Sequence, residues 1–155
     1  MKLQAATFLD LLRVKQWIKN LLIYIALIFT NNLFNAGLFL RVTAGFFLLC
    51  FAASAIYILN DIIDRKEDAY HPDKKSRPIA KGSVSVPFAS AISAILAVSA
   101  LAGSFLISRD FFYVICVYLA MNILYTLKLK HAVILDIFIV AAGYVLRAIA
   151  GAVII

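Results

Sequence analysis

Long apolar runs, separated by short polar or charged stretches, dominate this chain of 155 residues. Each run is long enough to form a helix that crosses the roughly 30 Å hydrocarbon core of a bilayer. This pattern predicts a polytopic membrane protein, because a backbone in lipid must satisfy its hydrogen bonds within its own helices. We predict five transmembrane helices, at about 18–34, 38–59, 87–107, 111–127 and 132–155.

The expected fold class is therefore all-α, with a single transmembrane bundle over residues 1–155. Composition agrees, since 65% of the residues are hydrophobic and only 15% are charged. The mean hydropathy of +0.98 lies far outside the range of a soluble globular domain. The longest polar stretch, at about 60–86, separates the second and third predicted helices. Because long loops in compact proteins are often functional, we expect the active site there.

The formal net charge of +7 invites a nucleic-acid partner, but the distribution of basic residues has a simpler explanation. In the predicted topology most lysines and arginines fall on one side of the membrane, and only Arg41 and Arg109 fall on the other. Basic residues concentrate on the cytoplasmic side of membrane proteins. We therefore predict an integral membrane protein without a nucleic-acid partner, whose N-terminus and 60–86 loop are cytoplasmic.

Three carboxylates follow the second predicted helix, in the stretch Asn60-Asp61-Ile-Ile-Asp64-Arg-Lys-Glu-Asp68. If that helix continues, Asp61, Asp64 and Asp68 lie within about 60° of one another on one face. Like charges on one face repel each other, which favours a divalent cation between them. Mg²⁺ prefers oxygen ligands and completes its shell with substrate phosphates. The alternative is a solvated acidic helix end.

Basic residues in the same loop suit the phosphate oxygens of a diphosphate, and they are Lys74, Lys75, Arg77 and Lys81. The cytoplasmic enrichment of basic residues explains the lysines equally well. At the inner end of the fourth predicted helix, Tyr125 and Lys128 share a face and offer a phenol and an ammonium to an anion. An interfacial tyrosine beside a snorkelling lysine is the alternative interpretation.

Two charged residues interrupt the fifth predicted helix, Asp136 and Arg147. They share a face, but eleven residues place them roughly 16 Å apart along the axis, too far for an ion pair. Ionisable residues inside a membrane usually face the bundle interior and mark function. For Arg147, a polar tie between neighbouring helices is the alternative.

The acidic motif, followed by Arg77-Pro78 and Gly82, resembles the first Asp-rich signature of the UbiA-type intramembrane prenyltransferases. Further stretches, at 13–20, 125–130, 135–136 and 145–148, are similar to the branch of decaprenyl-phosphate phosphoribosyltransferases. The resemblance extends over nearly the whole chain.

This resemblance implies about five helices of a nine-helix bundle, with a cleft that opens to the inner leaflet. It implies Mg²⁺ as the cofactor, held by Asp61, Asp64 and Asp68 on the diphosphate of the donor. The residues it implies around that diphosphate are Asn60, Lys74, Arg77, Lys81, Tyr125 and Lys128. The family carries a second Asp-rich motif after its sixth helix, so the resemblance also implies a C-terminal half that this chain lacks.

The implied activity is transfer of a 5-phosphoribosyl group from 5-phosphoribosyl 1-diphosphate to a polyprenyl phosphate such as decaprenyl phosphate, for arabinan precursors of the cell envelope. A second hypothesis is transfer of a polyprenyl group from its diphosphate to an aromatic or other acceptor. Both use a polyprenyl lipid and a diphosphate donor. A third is a non-enzymatic membrane protein, in which Asp61 would tolerate replacement by Asn.

Overall fold

The computed structural model describes residues 5–129 and 133–155, without the side chains of 128–129 and 133–136. Every regular element in these ranges is helical, which confirms the all-α prediction. The elements are α1 (Ala5–Leu12), a 3₁₀ segment (Val14–Tyr24), α2 (Ile25–Phe29), α3 (Ala36–Ile63), α4 (Arg65–Tyr70), α5 (Val86–Ile107), α6 (Arg109–Leu124), a π segment (Tyr125–Leu129) and α7 (Val133–Ala152).

Three helices in the described ranges are long and apolar enough to cross a membrane: Ala36–Ile63, Val86–Ile107 and Arg109–Leu127. They correspond to the second, third and fourth predicted helices. The stretch Ile137–Ala152 of α7 is also apolar but shorter. Local signals fix two of the helix starts, because the side chains of Asn35 and Ser108 accept hydrogen bonds from backbone N–H groups of the first turns of α3 and α6.

The first predicted helix, at 18–34, is wrong as a single α-helix. The chain there forms the 3₁₀ segment Val14–Tyr24, then the short α2, and turns at 30–35. At rises of about 2.0 Å and 1.5 Å per residue, the two elements together extend about 30 Å. They reach the thickness of the hydrocarbon core with fewer residues than one α-helix needs.

Contacts repeated every third residue explain the 3₁₀ geometry, since side chains three apart eclipse one another in such a helix. The Trp17 indole N–H donates to the Ser54 hydroxyl at 3.0 Å. One turn later, the Asn20 amide donates to the Cys50 sulfur at 3.2 Å. Another turn on, Ile23 is fully buried. This row holds the segment against the adjoining helices.

Helix α3 lies at the centre of the bundle and packs against the 3₁₀ segment, α5, α6 and α7. Its residues Leu49, Ala52 and Ala53 are buried in the main apolar core. Helix α7 also packs closely against the 3₁₀ segment at Gly151. An added Cβ at Gly151 would lie 1.9 Å from the carbonyl oxygen of Ile23. Small residues allow such backbone contact between membrane helices.

A second apolar cluster fixes the loop between α4 and α5. Its buried members are Leu11, Ile58, Ile79, Val84 and Ala89. The backbone N–H of Val84 also donates to the carbonyl of Pro78 at 3.1 Å, which closes the loop. The loop therefore has a fixed position at the end of α1 and α3, and it presents Arg77 there.

Candidate functional site

The acidic motif does not lie on one continuous helix, as the prediction of a shared face assumed. Helix α3 ends at Ile63 and α4 begins at Arg65, so the helix is interrupted at Asp64. Asp61, on the last turn of α3, is 3% exposed, and Asp68 on α4 is 2% exposed. Asp64 and Asn60 are half-buried. Two of the three carboxylates are thus enclosed within the protein.

Two arginines pair with these carboxylates, Arg77 from the loop between α4 and α5 and Arg13 from the end of α1. Arg77 places Nη1 2.6 Å from Oδ2 of Asp68 and 3.1 Å from Oδ1 of Asp61. Arg13 forms a second ion pair with Asp61 and lies over the ring of Tyr57, 5.2 Å from its centroid. Two cations and two anions therefore form a closed network, in which each buried charge has a partner. We call Arg13, Asp61, Asp68 and Arg77 the charge cluster.

A cavity of about 500 Å³ adjoins the charge cluster. We call it the loop cavity, and its lining residues are Leu9, Asp10, Arg13, Val14, Lys15, Gln16, Asp73, Ser76, Arg77 and Pro78. Both arginines of the cluster reach it, whereas Asp61 and Asp68 are not among its lining residues. The wall therefore offers planar guanidinium groups, which suit phosphate oxygens.

In this arrangement the carboxylates of the charge cluster are paired with arginines. Within residues 5–129 and 133–155, no three described His, Cys, Asp or Glu side chains lie close enough together to hold a metal. Oδ1 of Asp61 and Oδ2 of Asp68 accept hydrogen bonds from arginines. Magnesium therefore remains a prediction from the sequence, and the chemistry below is derived from the protein's own side chains.

The other residues predicted around the diphosphate are spread more widely. Lys74 is half-buried and Lys81 is exposed, and neither lines the loop cavity. Their backbone groups bond to Arg77, with the carbonyl of Lys74 accepting at 3.0 Å and the N–H of Lys81 donating at 3.0 Å. They hold the loop around Arg77. The side chains of Lys128 and Asp136 lie outside the described residues.

A second cavity, of about 220 Å³, lies among the helices. We call it the bundle cavity, and its lining residues are Gln16, Lys19, Tyr57, Tyr118, Asn122, Tyr125, Ile139, Val140, Gly143, Tyr144 and Arg147. Tyr125, predicted beside the diphosphate, lies on this cavity and not on the loop cavity. Gln16 lines both, so the two cavities adjoin.

Arg147 is 7% exposed and bonds to neutral groups. Its Nε donates to Asn20 Oδ1 at 2.8 Å, Nη1 to the Gly143 carbonyl at 2.6 Å, and Nη2 to the Tyr118 hydroxyl at 3.1 Å. Arg147 thus lies inside the bundle and bonds to the 3₁₀ segment, α6 and α7, and a functional role for it stays a prediction. Asn20 and Tyr118 were missed, although a lone Asn in an apolar stretch is a signal for a buried polar contact.

Comparison with known proteins agrees with this geometry. Residues 21–155 match the model of the UbiA prenyltransferase family. The chain belongs to this family. The resemblance inferred from the acidic motif is therefore confirmed, and the protein is an integral membrane protein, as its apolar helices indicate.

Relatives within the UbiA prenyltransferase family include decaprenyl-phosphate phosphoribosyltransferases. The chain is 39% identical to that of Mycolicibacterium smegmatis over 91% of its own length and 46% of the relative. It is 36% identical to that of Mycobacterium tuberculosis, over 92% of this chain and 48% of the relative. The chain thus spans about half the length of these relatives.

A solved structure shows the same arrangement of helices. It comes from work on digeranylgeranylglyceryl phosphate synthase in membranes, and it is similar with a TM-score of 0.83 and 26% identity. The match covers 96% of this chain and 52% of that one. The bundle described here therefore corresponds to about half of that UbiA-type fold.

Proposed function

We propose that this chain provides the donor-binding part of a transferase that moves a 5-phosphoribosyl group from 5-phosphoribosyl 1-diphosphate to a polyprenyl phosphate. The observation that carries the proposal is the 36–39% identity to decaprenyl-phosphate phosphoribosyltransferases over more than nine-tenths of the chain. Because the match covers less than half of each relative, the proposal concerns donor binding first. The remaining half of the cleft is assigned to a C-terminal partner segment like that of the relatives.

In the proposed reaction, an oxygen of the lipid phosphate attacks C1 of the ribose. The bond from C1 to the diphosphate oxygen breaks, and the diphosphate leaves with the electron pair. Negative charge grows on the departing group, so cations fixed beside it stabilise the transition state. Arg13 and Arg77 are placed for this role, because both line the loop cavity. Each also has more N–H groups than its described bonds to the carboxylates use.

Asp61 and Asp68 then act by holding the two arginines. Cations that are already oriented need no reorganisation when charge develops, which is the main source of electrostatic catalysis. Ligation of Mg²⁺ by Asp61, Asp64 and Asp68 stays part of the proposal, as do roles for Asn60, Lys74, Lys81, Tyr125 and Lys128. Most lysines and arginines lie on the same side of the predicted topology as the 60–86 loop. This distribution supports a cytoplasmic position for the loop in a bacterial inner membrane.

The test is equilibrium binding of radiolabelled 5-phosphoribosyl 1-diphosphate, with Mg²⁺, to the purified protein in nanodiscs. Replacement Asp61→Asn should weaken binding about tenfold or more, because it removes the carboxylate that orients Arg13 and Arg77 and a proposed ligand of Mg²⁺. Asp110→Asn makes the same chemical change at an exposed site on α6 and should leave binding unchanged. Transfer to a polyprenyl phosphate is then measured with the same variants.

Two outcomes would redirect the proposal. If the protein binds a prenyl diphosphate but not the sugar diphosphate, and Asp61→Asn abolishes that binding, prenyl transfer replaces phosphoribosyl transfer. If neither diphosphate binds, the third hypothesis, a non-enzymatic membrane protein, takes precedence.

A further inference from the structure

The chain makes an unusual turn where α1 ends and the 3₁₀ segment begins. Arg13 is the single residue between these two elements, and its backbone has φ 51° and ψ 45°, in the left-handed region. Residues other than Gly rarely adopt this conformation, and it persists only where the surrounding structure holds it. The backbone N–H of Arg13 donates to the Asp10 carbonyl at 3.1 Å, and its carbonyl accepts from the Gln16 N–H at 2.8 Å. We call residues 10–16 the arginine turn.

Ser54 of α3 fixes the backbone of the arginine turn. Its hydroxyl donates to the carbonyl of Leu12 at 2.7 Å, immediately before Arg13. The same hydroxyl accepts from the indole N–H of Trp17 at 3.0 Å, four residues after Arg13. Ser54 is fully buried, so removal of its hydroxyl would leave both groups without this partner in a place that water does not reach. One side chain of α3 therefore bonds to the chain on both sides of Arg13.

Tyr57 and Asp61 hold the side chain of Arg13 from the same face of α3. Positions 54, 57 and 61 of an α-helix lie within about 60° of one another and extend over about 10 Å. The guanidinium carbon of Arg13 lies 5.2 Å from the centroid of the Tyr57 ring, and Nη2 pairs with Asp61. A cation over an aromatic face is attracted by the quadrupole of the ring. Held in this way, the Arg13 side chain forms part of the wall of the loop cavity.

We propose that Ser54 and Tyr57 are positioning residues of the loop cavity, which act through Arg13. Ser54 sets the direction in which the Arg13 side chain leaves the backbone, and Tyr57 supports one face of the guanidinium while Asp61 pairs with one of its nitrogens. The guanidinium is then oriented before a diphosphate arrives, so binding costs little further loss of side-chain freedom. The identity of that diphosphate as the sugar donor rests on the proposed function.

The test measures equilibrium binding of 5-phosphoribosyl 1-diphosphate and of inorganic diphosphate, each with Mg²⁺, to the full chain in nanodiscs. Tyr57→Leu and Ser54→Ala should each weaken binding of both ligands about fivefold, since each removes one contact that orients Arg13. Tyr57→Phe keeps the aromatic face under the guanidinium and should restore binding to that of the unchanged protein. Tyr113→Leu and Ser99→Ala make the same changes at exposed sites on α6 and α5 and are the matched controls.

A double-mutant cycle distinguishes positioning of Arg13 from general support of the fold. Arg13→Gln should weaken binding about tenfold while Arg77 stays in place. In that background Tyr57→Leu and Ser54→Ala should cause no further loss, because the group that they orient is gone. In an Arg77→Gln background each should still weaken binding about fivefold. Equal losses in both backgrounds would overturn the inference, and so would a Tyr57→Phe variant that binds as weakly as Tyr57→Leu.

Comparison of the two ligands separates this inference from the proposed function. If the sugar diphosphate binds with unchanged affinity to Tyr57→Leu and Ser54→Ala, the inference fails and the proposed function stands. If only inorganic diphosphate binds, and its binding depends on Ser54 and Tyr57 through Arg13, the proposed function fails and the positioning roles stand. Binding of neither ligand would overturn both.

Discussion

Replacement of Arg77 by Gln should expose how strongly the charge cluster holds the structure together. Asp68 is 2% exposed, and its described ionic partner is Arg77, whereas Asp61 also pairs with Arg13. Removing one partner of a buried ion pair costs about 3–5 kcal/mol, because a buried charge is left uncompensated. The Arg77 side chain is 23% exposed, so water offsets part of this cost. A neutral hydrogen bond from Gln offsets about 1 kcal/mol more. We expect a net loss of about 2 kcal/mol in the free energy of unfolding.

The measurement is reversible unfolding of the protein in mixed micelles, with Lys81→Gln as the control in the same loop. The double variant Arg77→Gln with Asp68→Asn should be more stable than Arg77→Gln alone, since it no longer buries the unpaired carboxylate. Arg77→Gln with the stability of Lys81→Gln would refute the reasoning. So would a double variant that is no more stable than the single one.

Two further predictions concern packing and the metal. Gly151→Ala should destabilise the protein by about 1–3 kcal/mol, because the new Cβ would lie 1.9 Å from the backbone oxygen of Ile23. Gly37→Ala, whose Cβ would meet nothing closer than 3.5 Å, should have no comparable effect in the same unfolding assay. Removal of divalent cations with EDTA should abolish binding of the donor, and added Mg²⁺ should restore it. Full binding of the donor in EDTA would contradict the predicted magnesium requirement.

Much of the bundle was predictable because its long helices are specified locally. An unbroken apolar run together with a starting signal, such as Ser108 for α6, determines a helix in lipid without knowledge of its neighbours. The sequence at 14–29 is different. Its geometry follows from partners on other helices, Ser54 for Trp17 and Cys50 for Asn20, which no local pattern contains.

The same distinction applies to the site. The carboxylates Asp61 and Asp68 were recognisable because their spacing and their place after an apolar run are local features. Their pairing with Arg77 and Arg13 depends on how the loop folds back and how α1 approaches α3, at separations of 9 and 48 residues. The carboxylates could therefore be singled out from the sequence, whereas the arginines that pair with them in the structure could not.

The 3₁₀ segment Val14–Tyr24 contributes lining residues to both the loop cavity and the bundle cavity. Its turn holds about three residues, so inserting or deleting one residue would rotate everything beyond that point by roughly 120°. Gln16 and Lys19 would then leave the faces that line the cavities, while Asn20 would leave Arg147. Single side chains can change along this stretch, but a change in its length would alter the walls of both cavities. Relatives that keep both cavities should therefore align here without gaps.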